Sequence, residues 1–220
     1  MNVKSLKTTA LILFTVLLAG CASVKKEKLT FNGMIYNDNN EAVSDVSIFL
    51  NDKEISVSDI YGHFTITDLN NNSDYVLKAV KKGYESTEIE FNFLNASQVL
   101  YLHMYSADEL LAKAEKFISE KKYVEAEKTL ARAESADASY LSLTYLTAVL
   151  CYSRKDFDNA LSLLQEIIEK EYAESYVYLF MADVYEYGFK NIDETKNCLG
   201  KFLEYEYSVE VTERLNELNR

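Results

Sequence analysis

The chain has 220 residues, of which 48% are hydrophobic and 13% aromatic, enough for one large or two small packed domains and too apolar for wholesale disorder. No Pro and only 6 Gly exclude collagen-like sequence, proline-rich recognition tracts and long flexible linkers. The 35 acidic and 23 basic residues give a net charge of −12. The dense basic groups, Lys25, Lys26 and Lys28 with the pairs Lys81-Lys82 and Lys121-Lys122, are too scattered for the basic face that nucleic acid requires. The 3 Cys residues include no C-x-x-C pair, so neither a disulfide framework nor a zinc or redox motif is present.

Residues 1–20 carry Lys4 and Lys7, an apolar run from Ala10 to Leu18, then Ala19 and Gly20. That order is a secretion signal, and its apolar run reaches only about 13 Å as a helix, too short for a hydrocarbon layer of about 30 Å. Leu18-Ala19-Gly20-Cys21 resembles the lipobox of bacterial lipoproteins. The resemblance implies cleavage before Cys21 and lipidation of its thiol; several acyl chains on one residue exceed the marginal hold of a single chain. Residues 21–28 then form a short tether, the seven residues from Ala22 to Lys28 reaching at most about 25 Å. Ala22 stands where an aspartate would signal inner-membrane retention in many Gram-negative lipoproteins, so the resemblance favours the outer membrane of a bacterial cell envelope.

Residues 29–105 alternate with period two: Val46, Ile48 and Leu50 against Ser47 and Phe49, Phe64 and Ile66 against Thr65 and Thr67, Ile89, Phe91 and Phe93 against Glu88, Glu90 and Asn92. Turn signals at Asn37 to Glu41, Asn51-Asp52, Asp59 to Gly62, Asn70 to Asp74 and Lys82-Gly83 predict about seven strands in a small all-β Greek-key sandwich. The pieces Gly33-Met34-Ile35-Tyr36, Asn40 through Ile48, Ser58-Asp59-Ile60-Tyr61-Gly62-His63-Phe64 and Lys82-Gly83-Tyr84 resemble, in this order, the carboxypeptidase regulatory-like, transthyretin-type β-sandwich, with Val43 standing where that family often has Pro. The resemblance implies a non-catalytic spacer or platform. Asp38, Glu41 and Asp45 do not match the register of a calcium loop and read as a turn. His63 and His103 have no second ligand at metal spacing and read as strand residues.

From Ser106 the period changes to 3.6, and a register repeats every 34 residues: Ala114, Ala148 and Ala182; Phe117, Cys151 and Tyr185; Tyr123 and Phe157; Ala126 and Ala160. This resembles the tetratricopeptide repeat and implies that residues 106–220 form an all-α solenoid of about three helix pairs, the whole chain being multi-domain α+β. Leu130 and Ala133, then Leu164 and Ile167, fall in the first two second helices. One extra residue shifts the third to Ile192, Thr195, Leu199 and Phe202, and Val209 to Leu218 reads as a capping helix. By the family register a concave groove is lined by Asp108, Leu111, Glu115, Ser142, Tyr145, Val149, Tyr152, Tyr176, Leu179, Asp183 and Tyr187, an aromatic and acidic set suited to a basic or neutral segment with apolar anchors. A competing reading puts these tyrosines in the helix core or in solvent. Leu111, Glu115, Val149, Tyr176 and Phe180 replace the Lys and Asn of a carboxylate clamp and exclude that mode. Cys151 and Cys198 read as buried small hydrophobes.

No G-x-S-x-G, H-E-x-x-H or glycine-rich phosphate loop is present, and two isolated histidines offer no nucleophile pair. A paired-carboxylate glycosidase is the class that 35 acids leave open. The expectation is a non-catalytic protein-interaction scaffold, lipid-anchored through Cys21, needing neither cofactor nor metal and binding an envelope protein or peptide segment. The alternative is a glycan-binding, adhesin-like surface lipoprotein that uses Tyr36, Tyr61, Tyr75, Tyr84 or Tyr101 of the sandwich.

Overall fold

A computed structural model describes residues 29–170 and 174–220. The leader and Cys21 lie outside the described residues. Seven strands come first: β1 (Leu29–Tyr36), β2 (Ser47–Leu50), β3 (Lys53–Val57), β4 (His63–Leu69), β5 (Ser73–Val80), β6 (Thr87–Phe93) and β7 (Val99–His103). They form two sheets, ordered β4-β1-β7 and β3-β2-β5-β6. Alternation places Phe31, Ile35, Ile48, Phe64, Ile66 and Leu77 in one core between them, with Phe93 edge-on to Phe31. The turn residues supply the left-handed backbone that reverses the chain: Asn40, Asn51, Asp52, Asn72, Gly62 and Gly83 all have positive φ.

Four residues of the Ser58 to Phe64 run, Ser58, Asp59, Gly62 and Phe64, have structural tasks. Buried Ser58 accepts from the Val46 amide at 3.0 Å and donates to the Val43 carbonyl at 2.9 Å, pinning the segment that precedes β2. Asp59 Oδ1 accepts from the amides of Tyr61 and His63, both at 2.9 Å. Gly62, at φ +72°, lies against the Ile35 carbonyl where a Cβ has no space. The ring of Phe64 lies over Gly33 and fills the space a side chain would take.

β1 pairs with β7 in parallel, Asn32 opposite Val99 and Tyr36 opposite His103. The chain therefore enters the sandwich at one pole and leaves it at the other. The helical part begins there with almost no connection. Met104 is buried in the sandwich core and Ala107 in the helical core, leaving Tyr105 and Ser106 between.

The helices are α1 (Ala107–Ser119), α2 (Tyr123–Ser135), α3 (Tyr140–Ser153), α4 (Phe157–Glu169), α5 (Ser175–Asp183), α6 (Ile192–Tyr205) and α7 (Val209–Leu218), with a π-helical segment, Val184–Phe189, extending α5. Three hairpins, α1–α2, α3–α4 and α5–α6, turn on left-handed Lys121, Lys155 and Lys190. Ala114 and Ala126, Ala148 and Ala160, and Ala182 and Thr195 are each fully buried, the small residues that let paired helices approach closely. Thr195 satisfies its buried hydroxyl by donating to the Asn191 carbonyl at 2.8 Å. The extra residue of the third pair is absorbed by the π-helical segment, whose wider turn takes one more residue without breaking the register. α3 carries apolar residues on all sides because it is flanked by both neighbouring pairs.

The two domains are fastened together. The amide of Glu85 donates to the Tyr105 carbonyl at 2.8 Å and that of Ala107 to the Gly83 carbonyl at 2.9 Å. Arg132 of α2 reaches back to Glu85 in a bidentate pair, Nε and Nη2 at 2.8 and 2.7 Å. The Tyr105 ring lies between the Arg132 guanidinium and the Lys113 ammonium, at 4.9 and 4.6 Å from its centroid.

Two predictions follow from this packing. Gly33→Ala forces the Phe64 ring out of its rotamer and is expected to cost about 1–3 kcal/mol, measured as a lower urea midpoint at unchanged slope. The hydrogen bond from Arg132 holds the Glu85 carboxyl below the usual glutamate range. The contribution of this pair is complete above that range and is lost as acid protonates Glu85. Glu85→Gln is expected to lower stability by about 1 kcal/mol at neutral pH, and the gap between variant and wild type should close as the pH falls below the glutamate range.

Candidate functional site

The first helices of the hairpins share one side of the stack, and an aromatic strip crosses it. Tyr145 of α3 meets Tyr176 of α5 edge-on, with ring centroids 5.0 Å apart, and Phe180 at 5.6 Å. Tyr152, two turns further along α3, meets Phe180 at 5.4 Å and Phe157 at 5.5 Å. Phe157 in turn meets Phe189 of the π-helical segment at 6.3 Å. Phe180 is thus the hub joining the two α3 tyrosines. Edge-to-face contacts of this kind fix ring orientation, and Tyr145, Tyr152 and Phe180 are partly buried against the helical core. Burial, the main cause, raises the phenol pKa of Tyr145, Tyr152 and Tyr176 above the ordinary tyrosine value, so at neutral pH all three are neutral hydrogen-bonding groups.

The strip ends in an ion-pair cluster. Arg214 of α7 bonds Asp183 at 2.8 Å and Glu186 at 2.7 Å, and its guanidinium lies 6.0 Å from the centroid of the Tyr187 ring. Tyr187 remains 54% exposed and Tyr176 38%. Gly188 lies against Phe157, where a Cβ would come within 2.6 Å of the ring, so the π-helical turn closes tightly on α4 while holding Tyr187 outward.

Of the residues that the sequence register assigns to the groove, the structure places Tyr145, Tyr152, Tyr176, Asp183 and Tyr187 near one another and gives several others different surroundings. Leu111 is buried in the core formed by α1 and α2 and lines nothing. The Ser142 hydroxyl is engaged with Ser139, the N-cap of α3, at 2.7 Å. Val149 and Leu179 are half-buried and pack against the helical cores, and so do Tyr145 and Tyr152, as the competing reading expects; of the four groove tyrosines, Tyr176 and Tyr187 are the exposed ones. Asp183 shares Arg214 with Glu186, which leaves one net negative charge there, whereas Asp108 and Glu115 at α1 are exposed. Phe189 and Arg214 stand outside the expected set, and Phe180, named above only as a position that excludes the carboxylate clamp, joins the two tyrosines. Phe180 shares a helix face with Tyr176 at spacing i, i+4, which was a readable signal. Arg214 had none, because its partners lie 28 and 31 positions away.

On the sandwich, Tyr84 and Tyr75 pack against the core, whereas Tyr61 and Tyr101 are each 68% exposed. Tyr101 stands opposite Met34, itself opposite His63, on the outer face of the β4-β1-β7 sheet. Beside them Asn32 Oδ1 lies 3.3 Å from the His63 ring and accepts from Thr65 at 3.1 Å. The Asp38 turn is organised by Asn37, whose Oδ1 accepts from the amides of Asn39 and Glu41 at 3.0 and 2.9 Å, leaving Asp38 facing His103 at 3.8 Å. Cys151 and Cys198 are both thiols and form no disulfide with each other.

No protein-family model and no curated protein matches the sequence. Among solved structures, the chain is similar to a chain of a type II cohesin–X-dockerin complex from Acetivibrio cellulolyticus carrying a C-terminal interface mutation. Identity there is 20% over 36% of this chain and 59% of that one, with a TM-score of 0.31. The N-terminal interface mutant of that complex gives 20%, 36% and 58%, also at 0.31. The major pilin subunit of Bacillus cereus gives 20% over 36% of this chain and 29% of its own, at 0.27. The chain covers less than two thirds of each.

Removing the Arg214 charge tests the ion-pair cluster. Arg214→Met keeps an apolar stem and leaves Asp183 and Glu186 as close like charges. The expected loss is about 1–2 kcal/mol, and the deficit should shrink as added salt screens the repulsion.

Proposed function

We propose that this protein is a lipid-anchored, non-catalytic scaffold of the bacterial cell envelope that binds a segment of another envelope protein along the α1–α3–α5 side of its helical stack. In this reading residues 29–105 are a carboxypeptidase regulatory-like spacer, residues 106–220 are tetratricopeptide repeats, and Cys21 carries the lipid that holds the protein to the outer membrane.

The observation that carries the proposal is the aromatic strip. Tyr145 and Tyr152, joined through Phe180 and half-buried, back the shared side of the first helices, Tyr176 stands edge-on to Tyr145, and Tyr176 and Tyr187 are exposed on that side. Rigid rings give large contact area at low entropy cost, and the scaffold behind them is held by fully buried alanines. Because Arg214 is shared between Asp183 and Glu186 and leaves one net negative charge there, the partner's apolar anchors belong on the α3–α5 strip and its basic residues belong beside Asp108 and Glu115 at α1 or at the Arg214 end of the strip. The parallel β1–β7 pair supports the spacer role: eight strand residues, about 26 Å of sandwich, separate the tether's point of entry from the helices. With this geometry the binding face stands off the membrane surface.

A second reading, glycan binding by the sandwich, is supported by the exposed Tyr101 ring near Asn32, His63 and Thr65. A crosslinking pull-down from membranes with the lipidated chain separates the two. Tyr176→Ser with Tyr187→Ser, both at exposed rings, should reduce partner capture about tenfold or more, and a chain ending at Tyr105 should capture nothing. Capture that survives both changes but fails in Tyr101→Ser moves the function to the sandwich and overturns the first reading.

A further inference from the structure

The opposite side of the helical stack has its own opening. The second helices α2 and α4 flank a cleft of about 400 Å³ whose floor is the back of α3. Its origin is in the sequence: Ala131, Thr144 and Thr147 stand along it, side chains too short to bridge the flanking helices. The apolar residues of the stack accordingly fall into two clusters that share α3. Leu130 and Leu150 form a nearly buried floor, while Leu143, Leu163 and Cys151 are half-buried at its sides.

The rim is charged and almost balanced. Glu127 is bonded to Arg154 at 2.8 Å. Glu166 accepts from Tyr140 and, at 3.0 Å, from Lys170. Glu134 lines the same cleft, and among the described residues its carboxylate has no ion pair and no side-chain hydrogen bond. An apolar floor with one uncompensated carboxylate at its edge sets the chemistry of what fits. A purely apolar occupant would strip water from Glu134 and leave it unpaired, an acidic one would meet like charge, and a basic amphipathic one satisfies both surfaces.

We propose that this cleft is a second protein-binding site, separate from the tyrosine strip, that takes a basic amphipathic segment of a partner protein, with its apolar side chains on Leu143 and Leu163 and a Lys or Arg head on Glu134. The stack then carries one binding face on each side and bridges two partners rather than holding one.

The test uses the full chain in detergent and two fluorescein-labelled synthetic amphipathic peptides with leucine on one face and glutamine on the other, one with a single arginine at the boundary and one with glutamate there. Binding is followed by anisotropy, and the site is located by maleimide alkylation of Cys151, mapped by mass spectrometry. Burial raises both thiols, that of Cys198 to about 11, and Cys151 is half-buried where Cys198 is buried, so alkylation at the two positions is compared in the same sample. The arginine peptide is expected to bind and, at about ten times its Kd, to slow any Cys151 alkylation about tenfold. Ala131→Leu, which fills the cleft from an exposed position, and Glu134→Gln should each weaken binding about tenfold or more, while Tyr176→Ser with Tyr187→Ser leaves it unchanged. Absence of binding, equal binding of the glutamate peptide, indifference to both cleft variants, or loss of binding in the tyrosine variant overturns the proposal. None of these outcomes bears on the tyrosine strip as a site in its own right, because capture there is read by the pull-down.

Discussion

Two residues, Tyr105 and Ser106, separate a side chain buried in the sandwich from one buried in the helical stack, and the arrangement of the molecule depends on that short join. A connection so short has no freedom to reorient, and it is further held by backbone hydrogen bonds from Glu85 and Ala107 and by the bidentate Arg132–Glu85 pair. Ser106 serves both sides: it bridges to Tyr84 of the sandwich and caps α1, accepting from the Glu109 amide while the Glu109 carboxylate accepts from the Ser106 amide. The first turn of the helical stack is therefore nucleated on the last residues of the sandwich. Direction follows from the same place, since parallel pairing of β1 with β7 puts this join at the pole opposite Leu29.

Within the stack, small residues set the geometry twice over. Where hairpin partners cross, Ala114, Ala126, Ala148, Ala160 and Ala182 bring the helices close and exclude water. Where Ala131, Thr144 and Thr147 fall instead between second helices, the same smallness leaves a cleft. Large side chains act in the opposite way: Phe180 and Phe157 fill the space between α3 and its neighbours and join Tyr145 and Tyr152 into one ring cluster. Both candidate surfaces are consequences of how side-chain volume is distributed around α3, the helix that touches both apolar clusters.

Charge is arranged to close off parts of these surfaces. Arg214 comes from the last helix to cover Asp183 and Glu186, Arg154 covers Glu127, and Arg132 covers Glu85. In a chain with an acidic excess of 12, Asp108 and Glu115 on one side and Glu134 on the other are exposed carboxylates without an ion pair among the described residues, and they mark where a basic partner group would be attracted. The arginines are suited to the task because a planar fork holds two carboxylate oxygens or two carboxylates at once.

Periodicity determined the elements from sequence alone. Alternation with period two, punctuated by Asn, Asp and Gly, specified seven strands, because a sheet with one buried face forces that pattern and left-handed turn backbone favours those residues. The 34-residue recurrence specified the hairpins, because alanine is needed wherever paired helices cross, and even the extra residue before α6 was visible as a shift in register. What periodicity cannot carry is information about partners distant in the chain. Leu111 and Tyr145 occupy comparable positions in the expected groove, yet one is buried and the other joins a ring cluster, and the difference lies in neighbours supplied by other helices. The parallel β1–β7 pair, the Arg132–Glu85 lock, the cover of Asp183 by Arg214 and the cleft behind α3 were decided only by tertiary structure. Each depends on the distance between side chains far apart in sequence, which a local repeating pattern does not encode.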